Sequence, residues 1–501
     1  MCSPSSKNAL ITSGLLKPSR YNSIQAPPQP QFRKSVYLSA LVAAFGGFVC
    51  GFDTGAISGI MAIPVFKTYF FTPTNMVYFQ GFILALFLMT AAIGSLLSGF
   101  CCDRFSRKYS IIASAAIFCA GIFFQILGQD VTILLIGRAI GGFGAGLMSN
   151  AIALYHSEIA PPDIRGRLIS FFTLMSLLGQ VAGYFFTFYT SHWTSNWSWR
   201  APWMFQITVC ASCAILLNVL PFSPRWLIDH GYSEDALLVL AELHSTDVDD
   251  IAVQKEYEGI KSEIEFEQSL GHRTYSELFH GSNRKRTFIS FFITISTSFT
   301  GSVAIWYYAP QIFMDAGMTD VSSSIAATGG TGILSFFATA VSLRWFVDDW
   351  GRKPIFLSGS VLMGVSMFVI GTMFSQYTVL DTNTGKVIVT NTCARGTIIA
   401  FIYIFTATFS STYGIATFVY PAEIFNMRTR AKGLALSYSL NWVFSILIAY
   451  SVPLFITYTV SGLYFFFGTC CIICFIGCCF IPETKGRTLE EMEILFRSVP
   501  S

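Results

Sequence analysis

Asp53 lies in the stretch VCGFDTGAISG, residues 49–59, and is the one charged residue of an apolar run that starts near Val36 and continues past Ile60. A lone ionised carboxylate at the centre of a bilayer costs about 2.5–3.5 kcal/mol on insertion scales. Such a group is kept where it has a partner and a task, and proton relay is a common task for it. Arg138, in LLIGRAIGG at residues 134–142, has the opposite sign in a second apolar run. A further set of charges sits at the ends of apolar runs. It comprises Asp103, Arg104 and Arg107 in DRFSRK, Asp348 and Arg352 in DDWGRK, Glu158 and Arg165 in SEIAPPDIRGR, Glu423 and Arg430 in AEIFNMRTRAK, and Glu483 in PETKGRT. Carboxylates and guanidiniums so placed form gates of ion pairs. No nucleophile stands beside a base, no phosphate loop ends in Gly-Lys-Ser/Thr, and no ligand set for a metal appears. The chemistry on offer is that of a carrier, not an enzyme, and no cofactor is expected.

The elements that must hold these residues follow from composition. Of 501 residues, 53% are hydrophobic and 12% charged, against about 25% charged in a soluble domain. Twelve apolar stretches are long enough to cross a bilayer, at about 36–60, 79–101, 110–128, 131–155, 168–190, 202–220, 288–309, 323–346, 354–374, 397–420, 433–457 and 462–481. The reading is an all-α membrane protein. Residues 1–35 form a polar tail, 36–220 and 288–481 two sets of six spans, 221–287 a linker with short amphipathic helices, and 482–501 a second tail. Ser233 is expected to cap one linker helix, with Glu234 and Asp235 in its first turn. Pro310 is expected to end the seventh span. With both termini in the cytosol, inside segments hold 26 of the 31 Lys and Arg residues, and outside loops only Lys67, Arg200, Lys386 and Arg395. The net charge of +3 is then a topology signal and points to no nucleic acid. Only Cys393 of thirteen cysteines lies in an outside loop, so no disulfide framework is expected. Asn196-Trp-Ser is an outside glycan sequon.

The chain repeats itself. DRFSRK and DDWGRK follow the second and eighth spans, at an offset of 245 residues. Glu158 and Glu423, 265 apart, each precede an Arg by seven residues after the fourth and tenth spans. PFSPRWL and PETKGRT, 261 apart, follow the sixth and twelfth. Two matching six-helix halves in parallel are the plan of alternating-access transporters, whose site lies at the midplane between halves. The first span runs outward and the fourth inward, so Asp53 and Arg138 both lie roughly 10 Å below the outer surface. Two readings stand: a static pair that fixes helix packing, or a protonation switch that frees Arg138 when Asp53 is neutral. The glycines at 137, 141, 142 and 146 read as close helix packing.

GFDTGAISG, GRAIGGFGAG with SEIAPPDIRGR, SPRWL, YYAPQIF, DDWGRK, YPAEIF with RTRAKG, and PETKGRTLEEM, in this order, resemble the sugar porters of the major facilitator superfamily, in fungal form. The resemblance runs from about residue 35 to 492. It implies two pseudo-symmetric six-helix bundles and a plasma-membrane carrier that moves a sugar with protons, Asp53 taking the place of the proton-coupling carboxylate with Arg138 as its partner. One chain suffices for such a pathway, and the oligomeric state stays open. The resemblance also places the sugar at Gln180, Tyr307, Tyr308, Asn441 and Trp442. Several positions depart from the family pattern. Thr297 and Ser298 stand for a pair of glutamines, Val303 and Ser335 for asparagines, and Phe418 for a tryptophan. Ser106 replaces a glycine, and Phe222 a glutamate. The second half thus loses long amides. That puts glucose in doubt and leaves another monosaccharide, a polyol, a larger sugar, an uncoupled facilitator, a sugar sensor or an organic-acid carrier as alternatives.

Overall fold

A computed structural model describes residues 34–72, 76–160, 165–269, 274–318, 320–346, 350–380, 387–389, 391–425, 427–485 and 496. Asp348, Lys386 and most of both tails lie outside the described residues. Among the described residues, twelve helices are long and apolar enough to cross a membrane: Val36–Ile60, Tyr78–Phe105, Arg107–Ile126, Val131–Ile159, Leu168–Thr190, Trp197–Val219, Asn283–Asp315, Val321–Arg344, Arg352–Tyr377, Thr392–Ile424, Lys432–Tyr458 and Val460–Cys479. They form the all-α, twelve-span bundle of two six-helix halves. An even number of spans puts Lys34 and Lys485 on one face, here termed the basic face because Arg104, Arg107, Lys108, Arg352 and Lys353 also lie at the span ends there.

Small residues set the spacing inside each half. A Cβ on Gly51 of the first span would lie 1.8 Å from the Ser176 carbonyl oxygen of the fifth, and one on Gly146 of the fourth 1.9 Å from the Ala91 carbonyl of the second. Only glycine lets these backbones touch. The halves meet mainly along two seams, the fifth span against the eighth and the second against the eleventh, and the first span also touches Ser302–Asp315 of the seventh. At the first seam Gly329 and Gly332 face Phe185, Val181 and Tyr184.

Two spans are broken near mid-membrane, both in the second half. The seventh divides into Gly281–Phe299 and Ser302–Asp315 at Gly301, whose φ of 97° suits glycine alone. The tenth divides into Thr392–Ser411 and Tyr413–Ile424 at Thr412. Pro310 does not end the seventh span as expected. It sits inside Ser302–Asp315, where the missing N–H costs one ladder bond and the helix goes on.

The linker forms three helices, Pro224–Asp229, Ser233–His244 and Ile251–Ser269, around a small core that includes Leu227, Leu240, Val253 and Tyr257. Ser233 is the first helical residue, not the cap: Tyr232 holds the cap position. On the face opposite the basic one, Thr378–Leu380 and Val387–Val389 pair as a short antiparallel ribbon.

Candidate functional site

A cavity of about 230 Å³ opens between the halves. Its walls include Cys50, Gly51 and Thr54 of the first span, Asn150 of the fourth, Thr173 and Gln180 of the fifth, and Trp306 and Tyr307 of the seventh. Phe409, Tyr413, Thr417 and Phe418 of the tenth, and Tyr438, Asn441 and Trp442 of the eleventh, complete them. The break in the tenth span turns Phe409 and Tyr413 together toward this space. Ala153, Ile169, Thr339 and Phe418 carry the wall toward the basic face. Toward the opposite face the fifth–eighth seam closes over it, where Ser191 Oγ lies 3.3 Å from Ser322 Oγ across the halves. The lining is mostly aromatic and aliphatic. Among the described residues no charged side chain lines it.

The polar groups of the wall are already oriented. Asn441 donates its amide N–H to the Thr294 carbonyl at 2.8 Å, Asn150 to the Ser95 carbonyl at 3.0 Å, and Gln180 to the Tyr184 hydroxyl at 2.9 Å. Each bond fixes which end of the amide is which. Each leaves the amide oxygen as the acceptor that the residue has to offer a ligand. Thr297 and Thr417 pair their hydroxyls at 2.8 Å. Of the nine residues expected to bind substrate, Gln180, Thr297, Tyr307, Phe418, Asn441 and Trp442 line the cavity. Ser298, Tyr308 and Ser335 do not. The Ser298 hydroxyl lies 3.0 Å from that of Ser445 and receives Asn441 at 3.3 Å, so it braces a wall residue. Tyr308 donates to the Ala449 carbonyl, and Ser335 to Thr331 in its own helix. Asn150, Thr417, Tyr413, Phe409 and Trp306 are wall residues that the motifs did not single out.

Asp53 and Arg138 meet. Arg138 Nη1 donates to Asp53 Oδ2 at 2.8 Å, with side chains 1% and 3% exposed. Gln206 of the sixth span, absent from the expected set, donates to the other carboxylate oxygen at 3.3 Å and to the Val49 carbonyl at 3.4 Å. Phe87 and Trp203 flank the guanidinium, at 5.4 and 5.6 Å. Phe87 also lines the cavity, as do Cys50 and Thr54 on either side of Asp53 in sequence. The pair is thus one side chain away from the cavity, shielded from it.

On the basic face the repeat becomes a matched pair of locks. Arg107 donates twice to Glu158 Oε1, at 2.8 and 3.0 Å, and Arg352 donates to Glu423 Oε1 at 2.7 Å. The second oxygen of each glutamate receives a hydroxyl, Ser223 on Glu158 and Thr484 on Glu423. Tyr155 donates to the Pro221 carbonyl, and Tyr420 to that of Pro482. Lys108 donates to the Asn218 carbonyl, and Lys353 to that of Cys479. Each of these pairs joins helices of one half. Asp103 adds a 3.4 Å contact to Arg107, while Arg104 stacks on Phe105. Arg430 donates to the Phe425 carbonyl. Arg165 opens a helix, but its side chain lies outside the described residues.

The two sequence departures here explain each other. Glu483 accepts the backbone N–H groups of Arg352 and Lys353 at 2.9 Å and so caps the ninth span. Burial pushes its pKa up, and those bonds with two more from Thr484 and Lys485 outweigh this and hold it below the ordinary glutamate value. A Cβ on Gly351, at φ 87°, would lie 2.8 Å from that carboxylate. In the first half Phe222 occupies the equivalent place and packs on Tyr109 at 5.6 Å. Ser106, at φ 75°, then has room for a Cβ and caps the third span itself, accepting from the Tyr109 N–H at 3.3 Å.

Comparison with known proteins decides the family. The model for "Sugar (and other) transporter" matches residues 39–496. This chain belongs to that transporter family. The transporter is 31% identical to the high-affinity glucose transporter of Kluyveromyces lactis, over 92% of this chain and 84% of that one. It is also 31% identical to the arabinose-proton symporter of Bacillus subtilis, over 92% and 95%. Among solved structures it resembles the proton:xylose symporter XylE of E. coli bound to 6-bromo-6-deoxy-D-glucose. That match has a TM-score of 0.78 and 26% identity, and covers 92% of this chain and 99% of that one. The transporter's relatives are carriers rather than enzymes, and the chain is a multi-pass membrane protein.

Proposed function

We propose that this protein carries a neutral sugar across the plasma membrane together with protons, by alternating access of the central cavity. Both termini and the 221–287 linker lie in the cytosol, as the distribution of Lys and Arg favours. Bundles 36–220 and 288–481 rock against each other, exposing the cavity first to one side and then to the other. The observation that carries this reading is the buried Asp53–Arg138 pair one side chain from the cavity. A pair so placed responds to a proton and to the ligand together. Protonated Asp53 releases Arg138, and the helices that carry them become free to shift.

The cavity supports a neutral, polyhydroxylated ligand. A sugar carboxylate or an amine would be buried there without a counter-charge. Sugar hydroxyls donate to the amide oxygens of Asn150, Gln180 and Asn441, and the rings of Trp306, Tyr307, Phe418 and Trp442 cover the C–H faces. Ser298, Tyr308 and Ser335 serve the wall rather than the ligand. The locks at Arg107–Glu158 and Arg352–Glu423 hold the cytosolic end of each bundle as one body, with Asp103, Glu483 and the Arg430 contact as their supports. Names of relatives point to hexoses and pentoses.

The test is uptake of a labelled panel by cells that lack sugar carriers: hexoses, pentoses, polyols and sugar acids. Accumulation of at least one neutral sugar, and of no sugar acid, is expected. Uptake of a sugar acid in preference to every neutral sugar contradicts the reading of the cavity.

A further inference from the structure

We infer that Tyr184 is the latch of the external gate and that Pro310 makes its receptor. The Tyr184 hydroxyl donates across the two halves to the Trp306 carbonyl at 3.0 Å. A carbonyl in mid-helix is normally taken by the N–H four residues on. For Trp306 that residue is Pro310, which has no N–H. The ring therefore leaves an acceptor open on the outer rod of the seventh span, and the fifth span fills it. The same device recurs on the rod's other side. Tyr308 donates at 2.7 Å to Ala449, whose helical partner would be Pro453. The outer rod Ser302–Asp315, hinged at Gly301, is thus pinned twice. The Tyr308 pin lies within the second half and travels with it. The Tyr184 pin joins the two halves, so it must break for the external side to open.

The latch is wired to the ligand wall. Tyr184, 2% exposed, also accepts the Gln180 amide at 2.9 Å, and Trp306 stacks edge-on against Phe409 at 5.1 Å. Gln180, Trp306 and Phe409 all line the cavity. A ligand that pulls on the Gln180 amide or the Trp306 ring strains the Tyr184 hydroxyl that ties the fifth span to the seventh. Tyr184 acts through these residues and positions them, without lining the cavity itself. This inference rests on the alternating-access reading above.

The measurement is labelling from outside by a membrane-impermeant maleimide. The reporter is the native Cys50, which lines the cavity and is reached from outside only when the external side opens, in a Cys393→Ser background. Tyr184→Phe keeps the ring and removes one net hydrogen bond from the closed seam. It should speed labelling of the ligand-free carrier by about two- to tenfold. Pro310→Ala restores an N–H that competes for the Trp306 carbonyl and should act in the same direction with Tyr184 untouched. Replacing Tyr184 by 3-fluorotyrosine, a stronger donor of the same shape, should slow labelling. Equal labelling of native and Tyr184→Phe carriers overturns the latch, even if both carriers still take up sugar. If Tyr184→Phe fails to reach the membrane, unchanged labelling of the Pro310→Ala and fluorotyrosine carriers overturns it instead. Failure of the transport reading shows separately, as native labelling that no neutral sugar alters.

Discussion

Asp53 has both carboxylate oxygens occupied, Oδ2 by Arg138 and Oδ1 by Gln206. Asp53→Asn mimics the protonated acid and cannot release a proton. Accumulation of sugar against a gradient should disappear, while exchange of labelled for unlabelled sugar persists; counterflow assays read both. Gln206→Leu strands a buried carboxylate oxygen and should lower the thermal stability of the purified carrier by about 1–3 kcal/mol. Asp53 and Arg138 were legible because a charge inside an apolar run demands a partner at the same depth. Gln206 was not, because an amide in a span carries no sign and no partner can be read from the sequence. Ser298, Tyr308 and Ser335 show the converse. Family position brought them to notice, but whether a hydroxyl faces a cavity or the next helix turn depends on rotation about the helix axis, which spacing alone leaves free.

Among the helices, capping distinguishes the two halves. The third span is capped by Ser106 and the ninth by Glu483, and the residue opposite each cap is matched to it. Phe222→Glu alone brings a carboxylate against the Ser106 Cβ. Ser106→Gly alone exchanges a cap worth a few tenths of a kcal/mol for relief of the positive φ and should leave the melting temperature nearly unchanged. Phe222→Glu alone should lower the melting temperature, and adding Ser106→Gly should recover most of the loss. A double variant that melts no higher than Phe222→Glu would contradict the matching. Because the lowered value of Glu483 favours its charged form, its cap is fully present above the ordinary glutamate range and is lost only as pH falls through the lowered value. A fall to pH 6 should therefore leave the ninth-span lock intact, readable as unchanged melting of purified carrier between pH 8 and 6. Close helix approach gives a third expectation. Gly51→Ala drives a methyl into the Ser176 carbonyl and should cost about 1–3 kcal/mol or abolish folding. Span number and the repeat were legible because hydropathy and charged loops are local signals. The breaks at Gly301 and Thr412 were not, since the apolar run passes through both without interruption.

In the whole molecule, the halves touch along seams near the face opposite the basic one and part toward the basic face, so this form opens the cavity toward the basic face. The two-fold plan gives each half its own lock on the basic face. The buried Asp53–Arg138 pair lies in the first half alone, and among the described residues the broken spans lie in the second. On the proposed function, one half senses the proton while the other bends around the ligand, and the seam between them converts the two events into one motion. That division of labour makes coupling the central claim. The most direct measurement uses purified carrier in liposomes loaded with a pH-sensitive dye, with the transported sugar added outside. The account predicts that sugar entry acidifies the lumen, that an imposed inward proton gradient drives accumulation, and that Asp53→Asn abolishes both. Sugar that equilibrates at the same rate with or without the gradient, with no change in lumenal pH, would contradict it and leave the Asp53–Arg138 pair a packing element in a facilitator.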